Sequence, residues 1–258
     1  MATRNLFGVP TGSEVTKVGV YTDETGRKYT LGSPLMSAHT AILISSMLDG
    51  LPPSLCAATG LDALDHALES IWNKNSNPVT RSVARQAAIE VLEQLPQLYR
   101  AIKNKQQNRR ALQKSMFEAS CAAGIAFNMT GTAAGHAISF ILSEKWHVPH
   151  GLACAFTLLE VYDWACTADA NRAELALISK HFHPNIETEN ALVIQLRQDI
   201  KNLTEELQLP KSFSSIGVQL NLEQLDSLFA RSFNDPKLHN QTPPLTTETL
   251  HTILENKL

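Results

Sequence analysis

Glycine is scarce where a phosphate-binding loop would concentrate it. The 12 glycines of this 258-residue chain never stand closer than four residues apart, so neither a GxGxxG nor a GGGS-type loop is present. Backbone amides at a helix start cradle a pyrophosphate only where glycine lets it approach, so the sequence offers no such cradle. Cysteine is also scarce. Cys56, Cys121, Cys154 and Cys166 show neither metal-ligand spacing nor a compact disulfide framework, and they read as reduced thiols. No apolar run reaches the length that spans a bilayer, and the amino terminus lacks a continuous apolar stretch, so no membrane association and a cytoplasmic location are expected. A net charge of −3 gives no electrostatic case for nucleic acid or an anionic membrane. The single basic run, Arg100 to Arg110, is broken by glutamines and asparagines and reads as a solvated helix end.

What remains is an ordinary globular composition, 43% hydrophobic and 18% charged, in a chain long enough for one large core. Residues 14 to 31 alternate as two strands, near Lys17 to Thr22 and Lys28 to Leu31, joined by a DETG turn. A lone hairpin is marginal in water, so this one needs a larger structure to belong to. From Pro52 onward the periodicity is helical, with segments near 55–73, 80–104, 108–128, 132–143, 149–166, 170–182, 189–207, 222–232 and 246–256. Pro96 predicts a break or kink in the second. FEASCAAGIAFNM is small or apolar on nearly every face and predicts a central helix. Leu192, Val193, Leu196, Ile200, Leu203 and Leu207 predict an outer amphipathic one. The polar stretch after Ser232, rich in proline, predicts a surface strap before a last helix capped at Thr246 or Thr247.

The chemistry gathers in two stretches. In TGLDALDHALE, Asp62 and His66 are four residues apart and share a helical face. In TGTAAGHAISFILSEKWHVPHG, His136 and His150 stand fourteen residues apart, the first among small residues, the second between Pro149 and Gly151 at a sharp helix start. One carboxylate and three imidazoles form a borderline-to-hard donor set for Fe(II), Zn(II) or another divalent first-row metal. Each half also has a plain reading, as a surface Asp–His pair or a hydrogen-bonded core histidine. Glu69, three residues past His66, is either an outer partner that orients a ligand ring or an exposed glutamate.

Three segments resemble the iron-containing alcohol dehydrogenase family: PTGSEVTKVGVYTDETGRKYTLGSPLM, LPPSLCAATGLDALDHALE, and the stretch from HAIS to VPHG. The resemblance implies a mainly α, dehydroquinate synthase-like helical metal-binding domain over residues 52–258, and in residues 1–51 a β-hairpin remnant of the family's nucleotide-binding domain. It places Asp62, His66, His136 and His150 on the metal ligands, with Fe(II) or Zn(II) as the ion and NAD(P) as the hydride carrier. Thr11, Ser13 and Lys28 fall at the nicotinamide end of the cofactor, although PTGSE is shorter than the family's PTTxGTGSE. No catalytic residue beyond the metal ligands is implied.

Phe140 stands where many members carry a second histidine, and HAISF in its NMTGTAAG context resembles the phosphonoacetaldehyde reductase branch. Phe140 and His147 are the candidate pocket residues. The expected function is hydride transfer between NAD(P) and a small alcohol or aldehyde. The alternative is a non-catalytic metal-binding remnant or subunit that needs a nucleotide-binding partner. A homo-oligomer or such a partner is expected.

Overall fold

The computed structural model describes residues 11–230, 232 and 235–258. The described residues form ten α-helices and one two-stranded antiparallel sheet. The first three helices, α1 (Pro53–Ile71), α2 (Pro78–Lys103) and α3 (Arg110–Thr130), pack on one another. Sixteen of the 19 residues of α1 are buried, which makes it the axis of the core. A helix buried on nearly every face, its polar side chains included, is one enclosed by others.

α2 runs unbroken through Pro96. The predicted break does not occur, because its buried face, from Ala84 through Leu95 to Ile102, is held against α1 and α3 on both sides of the proline. Asn77 and Thr80 close its first turn with a reciprocal capping box. α3 is less enclosed than its composition suggests, since Ile125 and Met129 are 45% and 55% exposed. Its small residues serve another purpose. Gly12 and Gly124 lie so close that a Cβ on either would strike the other's backbone, and Gly12 has φ +76°. This contact seats the amino-terminal segment on α3.

α4 (Ala134–Trp146) follows, and the expected single helix over 149–166 divides into α5 (His150–Ala155) and α6 (Leu158–Ala165) at a buried turn through Phe156 and Thr157. α7 (Asp169–Phe182) and α8 (Glu189–Glu206) form the outer layer against α2, and the six apolar residues expected on α8 and just past its end are all buried. α9 (Leu222–Phe229) and α10 (Thr247–Glu255) complete the chain, the latter capped by Thr246.

The strap before α10 is more than a surface wrap: Gln241 is buried, and Thr242 N donates to Trp72 O at 2.8 Å. Asn240 Nδ2 also donates to Thr132 O at 2.9 Å, so the strap ties the end of α1 to the start of α4. Arg231, Phe233 and Asn234, within the predicted helix end and strap, lie outside the described residues, as does Pro10 of the PTGSE segment.

β1 (Val18–Thr22) and β2 (Lys28–Gly32) pair in register from Val18 opposite Gly32 to Thr22 opposite Lys28. None of their residues is buried. Polar anchors hold the ribbon to the helices: Lys17 N donates to Asn128 Oδ1 at 2.8 Å and Lys28 N to Glu144 Oε1 at 2.6 Å. Leu35 and Ile42, just beyond it, are 90% and 77% exposed. No single helix among the described residues is long and apolar enough to cross a membrane.

Candidate metal centre

Three helices bring four side chains into one cluster. α1 presents Asp62 and His66 one turn apart, α4 presents His136 in its first turn, and α5 begins with His150. His136 Nε2 lies 2.9 Å from His66 Nε2 and 3.6 Å from Asp62 Oδ1, which is itself 3.8 Å from His150 Nε2. Gly151 makes the last approach possible, because a Cβ there would drive into the Ala58 carbonyl on α1. The proline–histidine–glycine sequence thus starts α5 against α1 with the histidine turned inward.

Asp62, His66 and His136 are buried, whereas the His150 side chain is 40% exposed at the cavity mouth. Phe127 stacks on the outer face of His66 at 4.0 Å. Burial alone would raise the Asp62 carboxyl, but the surrounding imidazoles, His66 first, outweigh it and hold the group ionised below the ordinary range. Burial pushes His66 down to about 4 against the pull of Asp62, so its ring is neutral near pH 7.

These residues fit a cation. Asp62 Oδ1 and His66 Nδ1 are buried without a hydrogen-bond partner, although a buried polar atom is normally satisfied. The Nε2 atoms of His66 and His136 face each other at 2.9 Å, a separation that either a shared proton or a shared cation satisfies. A carboxylate and three nitrogens are ordinary donors for a divalent first-row metal.

Glu69 proves to be no exposed glutamate. It is fully buried, and its Oε2 lies 2.9 Å from His136 Nδ1. The same carboxylate accepts from Ala133 N at 2.6 Å and Gly135 N at 2.7 Å. α4 has no N-cap side chain of its own, so a residue 64 positions earlier caps it. Burial opposes the charge on Glu69, but His136 and these amides hold its carboxyl below the usual range. With Nδ1–H donated to Glu69, His136 turns Nε2 toward the cluster. Asp65 Oδ2 stands 3.2 Å from the same Nδ1, and burial together with the Glu69 charge pushes its carboxyl well up. The two acids are thus pushed in opposite directions.

Cys154, which the sequence presented as a reduced thiol without metal-ligand spacing, also enters the cluster. It lies one turn past His150, and one donor atom each from Asp62, His136, His150 and Cys154 falls within 4.8 Å of the others. The signal was the spacing of His150 and Cys154 on one short helical face, which no cysteine-to-cysteine pattern reveals.

A cavity of about 790 Å³ opens from the cluster toward the ribbon. Thr11, Ser13 and Lys28 line it, as do Phe140 and Asp62, His66, His136 and His150. Thr11 Oγ1 donates to Ser13 Oγ at 3.1 Å. Lys237, which the sequence did not single out, stands with its ammonium 3.9 Å over the Phe140 ring on the cavity wall. His147 takes the left-handed position that ends α4, φ +54°, exposed and away from these walls.

The sequence model of the Fe-containing alcohol dehydrogenase family, C-terminal, matches residues 56–258. Among curated relatives, the 1-propanol dehydrogenase PduQ of Salmonella typhimurium is 30% identical over 257 residues, 96% of this chain and 67% of its own length. The sulfoacetaldehyde reductase of Bilophila wadsworthia is 31% identical over 238 residues, 90% of this chain and 59% of its own. Among solved structures, a 1,3-propanediol oxidoreductase superposes with a TM-score of 0.86 at 26% identity, covering 96% of this chain and 63% of its own. The sulfoacetaldehyde reductase of Bifidobacterium kashiwanohense, solved in complex with NAD+, gives 0.80 at 28% identity, with 96% and 62% covered. This chain thus spans 59% to 67% of the length of these relatives.

Proposed function

The chain belongs to the iron-containing alcohol dehydrogenase family, and from that premise we propose that it forms the metal-binding, substrate-polarising half of an NAD(P)-linked alcohol dehydrogenase or aldehyde reductase. The observation that carries the reading is the approach of His136 and His150 to the unpartnered, buried Oδ1 of Asp62, with His66 Nε2 set against His136 Nε2. These four would hold the ion, Fe(II) or Zn(II). A bound divalent cation supplies Lewis acidity toward a carbonyl or alcohol oxygen. Glu69 fixes the His136 tautomer, and Gly151 lets His150 close on Asp62. Phe127 and Phe140 give the substrate side of the cavity an apolar wall, suited to the small alcohols and aldehydes named for the relatives.

Residues 1–51 are read as part of a nucleotide-binding unit and 52–258 as the helical domain. Thr11, Ser13 and Lys28 would face the nicotinamide end across the cavity. Since the chain has no glycine loop for a pyrophosphate, hydride transfer requires a nucleotide-binding unit besides these residues. The second reading, a non-catalytic metal-binding subunit, draws on the exposure of Leu35 and Ile42, an apolar surface that another unit would cover.

Metal analysis of the purified chain tests the centre. One divalent ion per chain is expected, lost in Asp62→Ala and His136→Ala, and released on acidification because its ligands must be deprotonated to bind. Unchanged metal content in both variants would sink the ligand assignment. NAD(P)-dependent aldehyde reduction by this chain alone would contradict the need for a further nucleotide-binding unit.

A further inference from the structure

Cys154 is the donor at this centre that the four-ligand reading leaves unused. It is completely buried, and its Sγ stands 3.6 Å from His150 Nε2 and 3.7 Å from Nδ1. A nitrogen and a sulfur bound side by side to one divalent ion at about 2.0 and about 2.3 Å lie roughly 3.0 to 3.5 Å apart. One donor atom each of Asp62, His136, His150 and Cys154 lies within 4.8 Å of the others, so a turn of the His150 ring brings its Nε2 and the sulfur onto one ion. Cys154 does not line the cavity, whereas Asp62 and His150 do, so the thiol meets the cluster from the protein side. The unpartnered oxygen of Asp62, buried at 3% exposure, belongs to the same group of donors within 4.8 Å.

We propose that Cys154 Sγ is a further donor to the cation held by Asp62, His66, His136 and His150, entering from behind while the cavity face stays open to substrate. The inference rests on the proposed metal centre. On ligation the sulfur–metal bond forms and the S–H proton passes to solvent, with no change of oxidation state. Its consequence is selectivity. A thiolate added to an oxygen and three nitrogens softens the donor set and favours Zn(II) and Co(II) over Fe(II) more than the four ligands alone would.

Cobalt makes the sulfur visible. The full chain, stripped of metal with a chelator, is titrated with Co(II) and followed by absorption. Bound cobalt is expected to show visible d–d bands together with a near-ultraviolet thiolate-to-cobalt charge-transfer band. In Cys154→Ser and Cys154→Ala the d–d bands should persist and the charge-transfer band vanish, with Zn(II) affinity reduced by about tenfold or more, as for loss of a metal-supporting contact. Circular dichroism of both variants establishes that the helices remain. Cobalt bound to the wild type without the near-ultraviolet band, or a band that survives in both variants, overturns the role of Cys154 and leaves the four-ligand centre standing. Absence of any cobalt binding by the wild type overturns both.

Discussion

Two regions face each other across the cavity and are built on opposite terms. The helical wall, α1 with α4 and α5, sets its donors on a core in which Leu61, Leu64 and Leu68 are fully buried. The ribbon wall, β1 and β2, has no buried residue and is held by backbone-to-side-chain hydrogen bonds from Lys17 and Lys28. A metal centre needs donors fixed to within a few tenths of an ångström, which dense packing supplies. A surface that receives a mobile cofactor can tolerate a wall of lower local stability. On the proposed function, the contrast matches a rigid donor wall to a more tolerant cofactor wall.

The sharpest way to break this comparison is to weaken the core beneath the donors. Leu64→Ala, at 0% exposure, is expected to cost about 2–5 kcal/mol in thermal or denaturant unfolding and to lower metal affinity with it. A loss under about 1 kcal/mol would mean that the packing is not what holds the site. Next in size is Glu69→Gln, which keeps the shape but removes the charge bonded to the start of α4. Charged hydrogen bonds contribute about 1.5–3 kcal/mol, so destabilisation in that range is expected, together with weaker metal binding.

On the ribbon side the effects should be local. Glu144→Ala removes the acceptor of Lys28 N and is expected to leave global unfolding within about 1 kcal/mol while proteolysis between residues 18 and 32 accelerates. A global loss as large as that of Leu64→Ala would erase the distinction between the walls. Smallest is Tyr21→Ala, on a 48% exposed side chain stacked on Tyr29, expected within about 0.5 kcal/mol of the parent.

The helices were largely legible because burial imposes a 3.6-residue period, and the hairpin because alternation flanks a turn sequence. Pro96 suggested an interruption that does not end α2, because local strain was weighed without the neighbours packed against that helix. Glu69 stayed ambiguous for a similar reason: a glutamate on a helix reads alike whether water or a distant helix start lies above it. Cys154 and Lys237 were passed over because their relevant neighbours belong to other elements.

The sequence by itself determined the segments: which stretches coil, which of them carry carboxylate and imidazole side chains, and that no glycine loop for a pyrophosphate is present, since composition and periodicity are properties of the chain alone. Only the tertiary structure decided that a carboxylate at position 69 caps α4 and orients His136, that Gly151 seats α5 against α1, and that a thiol stands beside the imidazoles. The reason is distance. Hydrogen bonds, ligand geometry and steric contact act over a few ångströms, and residues 64 to 70 positions apart in sequence come within that range only after the helices have packed.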